Sequence, residues 1–187
     1  MKAGVGLVAA FLLMLLSDYL KVAEQRRWGN ACFLLGLMLF TASLAWGMAL
    51  GSWFSVALPL RVLFFLLAAL AALLEAVSLF GALPARETYL GQGETPLVDR
   101  GMYALCRHPG ALWLPALLLF LSLGLGSLGL LLSGALAAGL NVFYVWVQDR
   151  WVFPQTIPGY QNYRKHTPFL IPTRASVKKA LATFRQD

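Results

Sequence analysis

Charged side chains are scarce in this sequence, since Asp, Glu, Lys and Arg together make up 12% of its 187 residues. Soluble globular domains average about 25% charged residues, whereas 59% of this chain is hydrophobic. The apolar residues also fall in long blocks, which is the pattern of membrane spans. The composition therefore excludes an ordinary soluble domain and predicts an integral membrane protein.

Cysteine and histidine are also rare, with two residues of each. Cys32 and Cys106 form no C-x-x-C spacing, and both are predicted to lie near the cytoplasmic face, where disulfides are uncommon. His108 and His166 are far apart in sequence, which argues against a zinc site. The sequence predicts neither a disulfide nor a metal site.

The formal net charge of +7 is concentrated at one end of the chain, because seven of the fifteen Lys and Arg residues lie from Arg150 onward. A basic tail after the last span is typical of orientation by positive charge and of attraction to anionic lipid. We therefore predict membrane lipids, and not nucleic acid, as partners.

The apolar blocks predict an all-α, polytopic integral membrane protein with five transmembrane helices, a C-terminal helical hairpin and a cytoplasmic cap. The predicted spans are 1–20, 31–50 and 59–83, followed by two spans within 111–147 that turn at the glycine-rich segment 124–129. With five spans, thirteen Lys and Arg residues fall on one side and two on the other. The positive-inside rule then places the N-terminus outside and the C-terminus in the cytoplasm, and the compact chain suits a bacterial inner membrane.

A dense group of ionisable residues lies in 97–109, which reads LVDRGMYALCRHP. Ionisable groups at a membrane boundary are costly to desolvate and mark a functional site by default. We predict that this stretch forms the floor of an active site. A hairpin that leaves at Pro109 and returns at Gln148 brings Arg107 close to Asp149, since neighbouring helices lie about 8–10 Å apart. The alternative is that these charges only anchor helix ends at the interface.

Glu75 interrupts the third span about two turns from its inner end. Two interpretations stay open for this residue. Its carboxylate faces the bundle interior or water, or it belongs to a pocket.

An ordered set of motifs runs through 97–172. The first motif, G-x-Y-x-x-x-R-H-P, is followed by the apolar hairpin, then Gln148-Asp149, then Y-x-x-Y and a proline-containing segment at 168–172. This order resembles the membrane-embedded isoprenylcysteine carboxyl methyltransferase family. The first motif and the Y-x-x-Y pair comprise Gly101, Tyr103, Arg107, His108 and Pro109, and Tyr160 and Tyr163.

The resemblance implies a methyltransferase that binds S-adenosylmethionine at the cytosolic face, beside a lipid-open tunnel through which a lipophilic substrate enters from the bilayer. It implies Arg107 and Asp149 as the catalytic pair that meets the two charges of the methionine end. The cofactor-binding residues that it implies are Leu97 and Val98, through their backbone groups, and Gly101, Tyr103, His108, Gln148 and Tyr160. Residues 1–83 are then three N-terminal membrane helices, 84–173 a methyltransferase-like core, and 174–187 a basic cytoplasmic tail.

Some positions depart from that family. Gln148 stands where the family has an acid, Ala111 where an aromatic residue is common, and Tyr144 near the position of a substrate-binding arginine. The departures leave the methyl acceptor open and favour a degenerate member used for binding or scaffolding as an alternative. A second alternative is a nicotinamide-dependent enzyme, because membrane sterol reductases are similar around R-H-P.

The tail is predicted to have two parts. Prolines and aromatic residues in 151–172 predict a cap over the cofactor. In 175–184, Val177, Leu181 and Phe184 recur at helical spacing beside basic residues, which predicts a helix on the membrane surface. An ordinary solvated tail is the alternative for this second part.

Overall fold

The computed structural model describes residues 2–81 and 96–183, and within these ranges every regular element is a helix. The α-helices are α1 (Lys2–Val22), α2 (Arg26–Leu50), α3 (Leu58–Ala76), α4 (Met102–Leu105), α5 (Gly110–Leu125), α6 (Leu128–Val147), α7 (Phe153–Thr156), α8 (Tyr160–His166) and α9 (Arg174–Thr183). Two π-helical turns extend α3 and α6: the first π-turn is Val77–Gly81 and the second is Gln148–Val152. The predicted all-helical class is confirmed for these residues.

Within residues 2–81 and 96–183, four helical segments are long and apolar enough to cross a membrane: Lys2–Val22, Arg26–Ala49, Leu58–Phe80 and Leu128–Thr156. The helix α5 is apolar but has 16 residues. At 1.5 Å per residue it is about 24 Å long, which is less than the ~30 Å hydrocarbon core of a bilayer. The membrane character agrees with the prediction, and the count of five full spans stays a prediction.

Two helix boundaries differ from the predicted ones. The stretch 21–30 was expected as a polar loop, but α2 begins at Arg26 and the turn is confined to 23–25. A left-handed residue, Glu24 (φ 60°), reverses the chain there. The third span was expected to reach 83, whereas α3 ends at Ala76 and the first π-turn follows; residues 82–95, with the rest of the predicted loop, lie outside the described ranges.

The long helices pack in a row that begins with α3, continues with α5 and α6, and ends with the pair α1 and α2. At the centre of the pair, the Phe11 ring meets Phe40 edge-on at 5.9 Å and Tyr144 of α6 at 6.0 Å between centroids. Such contacts add to the burial of apolar area. The buried core comprises Leu7, Ala10, Phe11, Met14, Phe40, Ala111, Leu118, Ala137, Tyr144 and Val145.

The turn between α5 and α6 falls within the predicted segment 124–129. Gly126 ends α5, and the Ser127 side chain caps α6 by accepting from the N–H of Leu130 at 3.2 Å. The backbones of α2 and α6 touch nearby, because a Cβ on Gly129 would overlap the carbonyl oxygen of Gly47. Small residues permit this kind of close approach between membrane helices.

The C-terminal segment folds back over the ends of these helices. The short helices α7 and α8 follow the second π-turn, and α9 packs on α4 through Ser176 and Ala180, which are buried. Val177 and Leu181 on α9 are exposed. The tail is therefore docked on the motif segment, and a position on the lipid surface stays a prediction for its exposed residues.

Candidate functional site

The motif segment 97–109 begins as extended chain and forms the short helix α4. It then continues through 106–109 into α5. Gly101 begins α4 with φ 57° and ψ −127°, a conformation that favours glycine. Its N–H donates to Oγ1 of Thr183 in α9 at 3.0 Å. Farther along, the N–H of Arg107 donates to the carbonyl of Pro168 at 2.9 Å. The tail thus holds the segment at both ends.

Arg107 and Asp149 form a two-pronged ion pair, as the hairpin geometry predicted. Nε of Arg107 lies 2.6 Å from Oδ1 of Asp149, and Nη2 lies 3.1 Å from Oδ2. Their side chains are 9% and 3% exposed. Charged hydrogen bonds of this geometry are among the strongest in proteins.

Both members of the pair have further partners within the protein. Nη1 of Arg107 donates to the carbonyl oxygens of Arg164 and Thr167, at 3.1 and 2.5 Å. The Tyr160 hydroxyl donates to Oδ1 of Asp149 at 2.7 Å. Burial, and to a lesser extent the Asp149 carboxylate, raise the pKa of Tyr160 above its usual range. In this conformation, the charges of Arg107 and Asp149 are matched by protein groups.

A second guanidinium approaches the same carboxylate. Nε of Arg164 lies 3.5 Å from Oδ2 of Asp149, and the Arg164 side chain is 23% exposed. Two arginines therefore surround one aspartate, which leaves an excess of positive charge at the outer side of the cluster. Sequence reasoning missed Arg164, and its place directly after the last tyrosine of the Y-x-x-Y pair was the available signal.

His108 lies next to this ion pair and contacts two aromatic rings. Its ring stacks on Phe153 at 5.6 Å and meets Phe169 edge-on at 5.2 Å between centroids. Nε2 is buried, 3.5 Å from Oδ1 of Asp149, and has no hydrogen-bond partner among the described residues. Burial lowers the pKa of His108 more than the nearby Asp149 raises it, so the imidazole is neutral at pH 7.

Tyr163 and Cys106 close the side of the cluster that faces α4. The Tyr163 hydroxyl donates to the carbonyl of Tyr103 at 2.5 Å, and burial raises the pKa of Tyr163. Burial also raises the pKa of Cys106 to about 11, so its thiol stays protonated. These residues hold the motif segment in place, and Cys106 is an unreactive packing residue.

Gln148 belongs to a different polar cluster from Asp149. Its Nε2 donates to Oδ2 of Asp18 in α1 at 2.9 Å, and Tyr144 also bonds the Asp18 carboxylate. The second π-turn separates the two clusters by turning neighbouring side chains to different sides, and such turns are frequent at functional sites. Sequence reasoning placed Gln148 at the cofactor and missed Asp18, whose position at the inner end of the first span was the only signal.

Leu97 and Val98 lie in extended chain at the rim of the cluster. Leu97 is 36% exposed, and its side chain lies 3.6 Å from the point where a Cβ on Gly159 would be. In the part of the chain that the structure describes, the backbone groups of Leu97 and Val98 make no hydrogen bond. Their donors and acceptors are therefore open to a ligand.

The structure thus brings Arg107, His108, Asp149 and Tyr160 into one cluster, with Leu97, Val98, Gly101 and Tyr103 in the segment beside it. Among residues 2–81 and 96–183, no group of three or more His, Cys, Asp or Glu residues is placed to hold a metal ion. No protein-family model, curated protein or solved structure matches the chain.

Proposed function

We propose that this chain is a membrane-embedded, S-adenosylmethionine-dependent methyltransferase that acts on a lipid or lipophilic small molecule from the bilayer. One observation carries the proposal. The two motifs that resemble the methyltransferase family, around Arg107 and around Asp149, are 42 residues apart and meet in a buried ion pair. Tyr160, from the third motif, joins the same carboxylate.

The described residues fit the cofactor at three points. The open backbone groups of Leu97 and Val98 suit the hydrogen-bonding edge of an adenine ring. The partly exposed guanidinium of Arg164 suits a carboxylate. His108 supplies a buried nitrogen that lacks a partner. The backbone groups of Leu97 and Val98 and Nε2 of His108 lack partners among the described residues, and a ligand would satisfy them.

The role of the Arg107–Asp149 pair changes in this proposal. Because both charges are already matched, the pair holds α8 and the motif segment in register, and direct contact with a ligand requires it to open. Arg164 takes over the carboxylate of the methionine end. The predicted catalytic role of Arg107 and Asp149 becomes a positioning role, and Gln148 supports the site through Asp18.

The chemistry asks the protein mainly for alignment. When bound, S-adenosylmethionine would supply a sulfonium methyl group, which an electron-rich atom of the acceptor would take by in-line attack as the thioether sulfur leaves. The residues of this chain bind the two polar ends, keep water out and fix the acceptor. The dry surroundings of His108 and Asp149, which are 6% and 2% exposed, are suited to that task.

The closing experiment measures equilibrium binding of S-adenosylmethionine to the purified protein in nanodiscs, with a nicotinamide dinucleotide in a parallel titration. We expect binding of the first ligand only. Arg164→Ala should weaken it by about tenfold or more, since hydrogen bonds to charged groups contribute roughly 1.5–3 kcal/mol. Arg150→Ala, an exposed arginine on the second π-turn, is the matched control and should leave binding unchanged. Binding of the dinucleotide alone, or of neither ligand, would overturn the proposal.

A second candidate function is favoured by the matched charges of Arg107 and Asp149. A binding or scaffold protein derived from a methyltransferase needs the ion pair for folding alone. A protein with this function would bind S-adenosylmethionine but would transfer no labelled methyl group to any component of the surrounding lipid.

A further inference from the structure

Glu75 places a carboxylate inside a membrane-spanning helix, on the face of α3 that packs against α5. A Cβ on Gly110 would lie 3.2 Å from Oε1 and 3.3 Å from Oε2 of Glu75. The carboxylate therefore rests against the first turn of α5, immediately after the R-H-P motif.

This carboxylate has no partner in the described ranges 2–81 and 96–183. Oε2 of Glu75 is buried and accepts no hydrogen bond, and no Lys or Arg of those ranges forms an ion pair with it. An unpaired carboxylate at membrane depth is costly unless a cation or a proton neutralises it. An intramembrane ionisable group of this kind is a functional-site candidate by default.

A second unpaired polar group is a donor on α5, and helical spacing from Gly110 assigns it to the same side of that helix. Nε1 of Trp113 is buried and has no acceptor among the described residues. Trp113 follows Gly110 by three positions, so the two residues lie on neighbouring turns of one face of α5. The α3–α5 seam, defined here by Glu75, Gly110 and Trp113, therefore offers one unmatched acceptor and one unmatched donor.

The seam adjoins the motif segment, and the opposite face of α3 is exposed and apolar. Leu66, Leu70 and Leu73 on α3 are 64%, 51% and 60% exposed, so this helix presents a broad apolar surface outward. Directly after Glu75, the first π-turn contacts α4 of the motif segment. A molecule that enters between α3 and α5 would reach both polar groups with its chain still in the bilayer.

We propose that the α3–α5 seam binds an amphiphilic amine, with Glu75 paired to the ammonium group and the Trp113 indole donating to a neighbouring oxygen. The inference rests on the proposed function in one respect, because the bound amine is the methyl acceptor. After it loses a proton to solvent, the amine nitrogen uses its lone pair to form the new N–C bond while the methyl–sulfur bond breaks. The binding step itself needs no cofactor.

The test compares decylamine, decanol and decanoate in calorimetric titrations of the full chain in nanodiscs, with empty nanodiscs as the blank. We expect decylamine to bind at least about tenfold more tightly than either of the others, the scale of a hydrogen bond to a charged group. Glu75→Gln should remove that difference. Glu24→Gln, the same change at an exposed site, should preserve it.

Equal affinity for the amine and the alcohol in the native protein would overturn the proposal, as would an amine preference that survives in Glu75→Gln. The first comparison needs no variant, so a folding defect in Glu75→Gln does not remove the test. Binding of S-adenosylmethionine is measured on the same samples. Its absence would contradict the methyltransferase function and leave the amine result independent.

Discussion

Arg107 and Asp149 share a nearly water-free position, and this determines what a substitution at either one does. Loss of one partner leaves the other charge buried and unmatched, which costs about 3–5 kcal/mol, whereas apolar replacement of both partners removes that penalty. We expect Arg107→Met and Asp149→Leu each to lower the unfolding midpoint strongly. The double variant should lose less than the sum of the two.

The measurement is thermal unfolding in detergent, followed by circular dichroism. The control is Asp99→Asn, which breaks the pair between Lys179 and Asp99; these side chains are 43% and 60% exposed. An exposed pair contributes about 0–1 kcal/mol. Additive losses in the double variant would contradict the view that the two buried charges act as one unit.

His108 predicts how stability depends on pH. Its folded pKa lies below the ordinary value of 6.5 because of burial. Below pH 6.5, the unfolded chain binds the proton more readily than the folded protein does. The free energy of unfolding therefore falls as the pH drops from 7 to 5. The slope is at most about 1.4 kcal/mol per pH unit for one group.

We expect His108→Phe, which keeps the stack on Phe153, to reduce this acid sensitivity. His166→Gln alters an exposed histidine and should leave it unchanged. The readout is the unfolding midpoint at pH 5, 6, 7 and 8. An unaltered pH profile in His108→Phe would show that other groups cause the acid sensitivity.

At the scale of elements, the contact between α2 and α6 requires glycine at position 129. A Cβ there would overlap the carbonyl oxygen of Gly47, so Gly129→Ala forces the helices apart. Overpacking of this kind costs typically about 1–3 kcal/mol. Gly139, on the same helix, has no atom within 4 Å of its ideal Cβ, and Gly139→Ala should be neutral or slightly stabilising. Equal unfolding midpoints for the two variants would refute the close contact.

The docking of α9 on α4 is a second testable contact between elements. Ala180 is buried at 4% exposure, whereas Leu181 is 60% exposed. We expect Ala180→Trp to displace α9 and to speed amide hydrogen exchange in 97–105, because the bond from Gly101 to Thr183 is then lost. Leu181→Trp adds the same bulk outside the contact and should leave exchange unchanged. Slow exchange in both variants would mean that α9 does not hold the motif segment.

Sequence patterns predicted the helices and the contact between the motifs around Arg107 and Asp149. They were weak for side chains that are positioned by irregular backbone. The Arg107–Asp149 pair follows from the predicted turn between two helices at 124–129. Because the second helix runs back beside the first, its end lies next to the start of the first. The separation of Gln148 from Asp149 depends on a π-turn, which has no sequence period of its own. For the same reason Asp18 and Arg164 were missed, because their partners are set by how α1 and α8 meet that turn.

At the scale of the whole molecule, the charge distribution predicts one orientation in the membrane. The N-terminus and the short loop 51–57 should be external, and the motif segment and tail cytoplasmic. Single cysteines at Ser55 and at Thr173, introduced after Cys32 and Cys106 are replaced by alanine, should react from opposite sides with a membrane-impermeant maleimide. Labelling of both positions from one side would refute the five-span arrangement, and labelling of position 173 from the outside would refute the cytoplasmic location of the site.

The shortness of α5 has a consequence for how a substrate arrives. In the predicted five-span arrangement, this helix of about 24 Å is mismatched by roughly 6 Å to a hydrocarbon layer of ~30 Å. Lipid beside a short segment thins to meet it, or the flanking residues sink toward the midplane. Either adjustment draws His108 and Glu75, which flank the start of α5, below the ordinary level of the headgroups. In the predicted orientation, a lipid of the inner leaflet would then meet the proposed site by sideways diffusion, without lifting its chains out of the membrane.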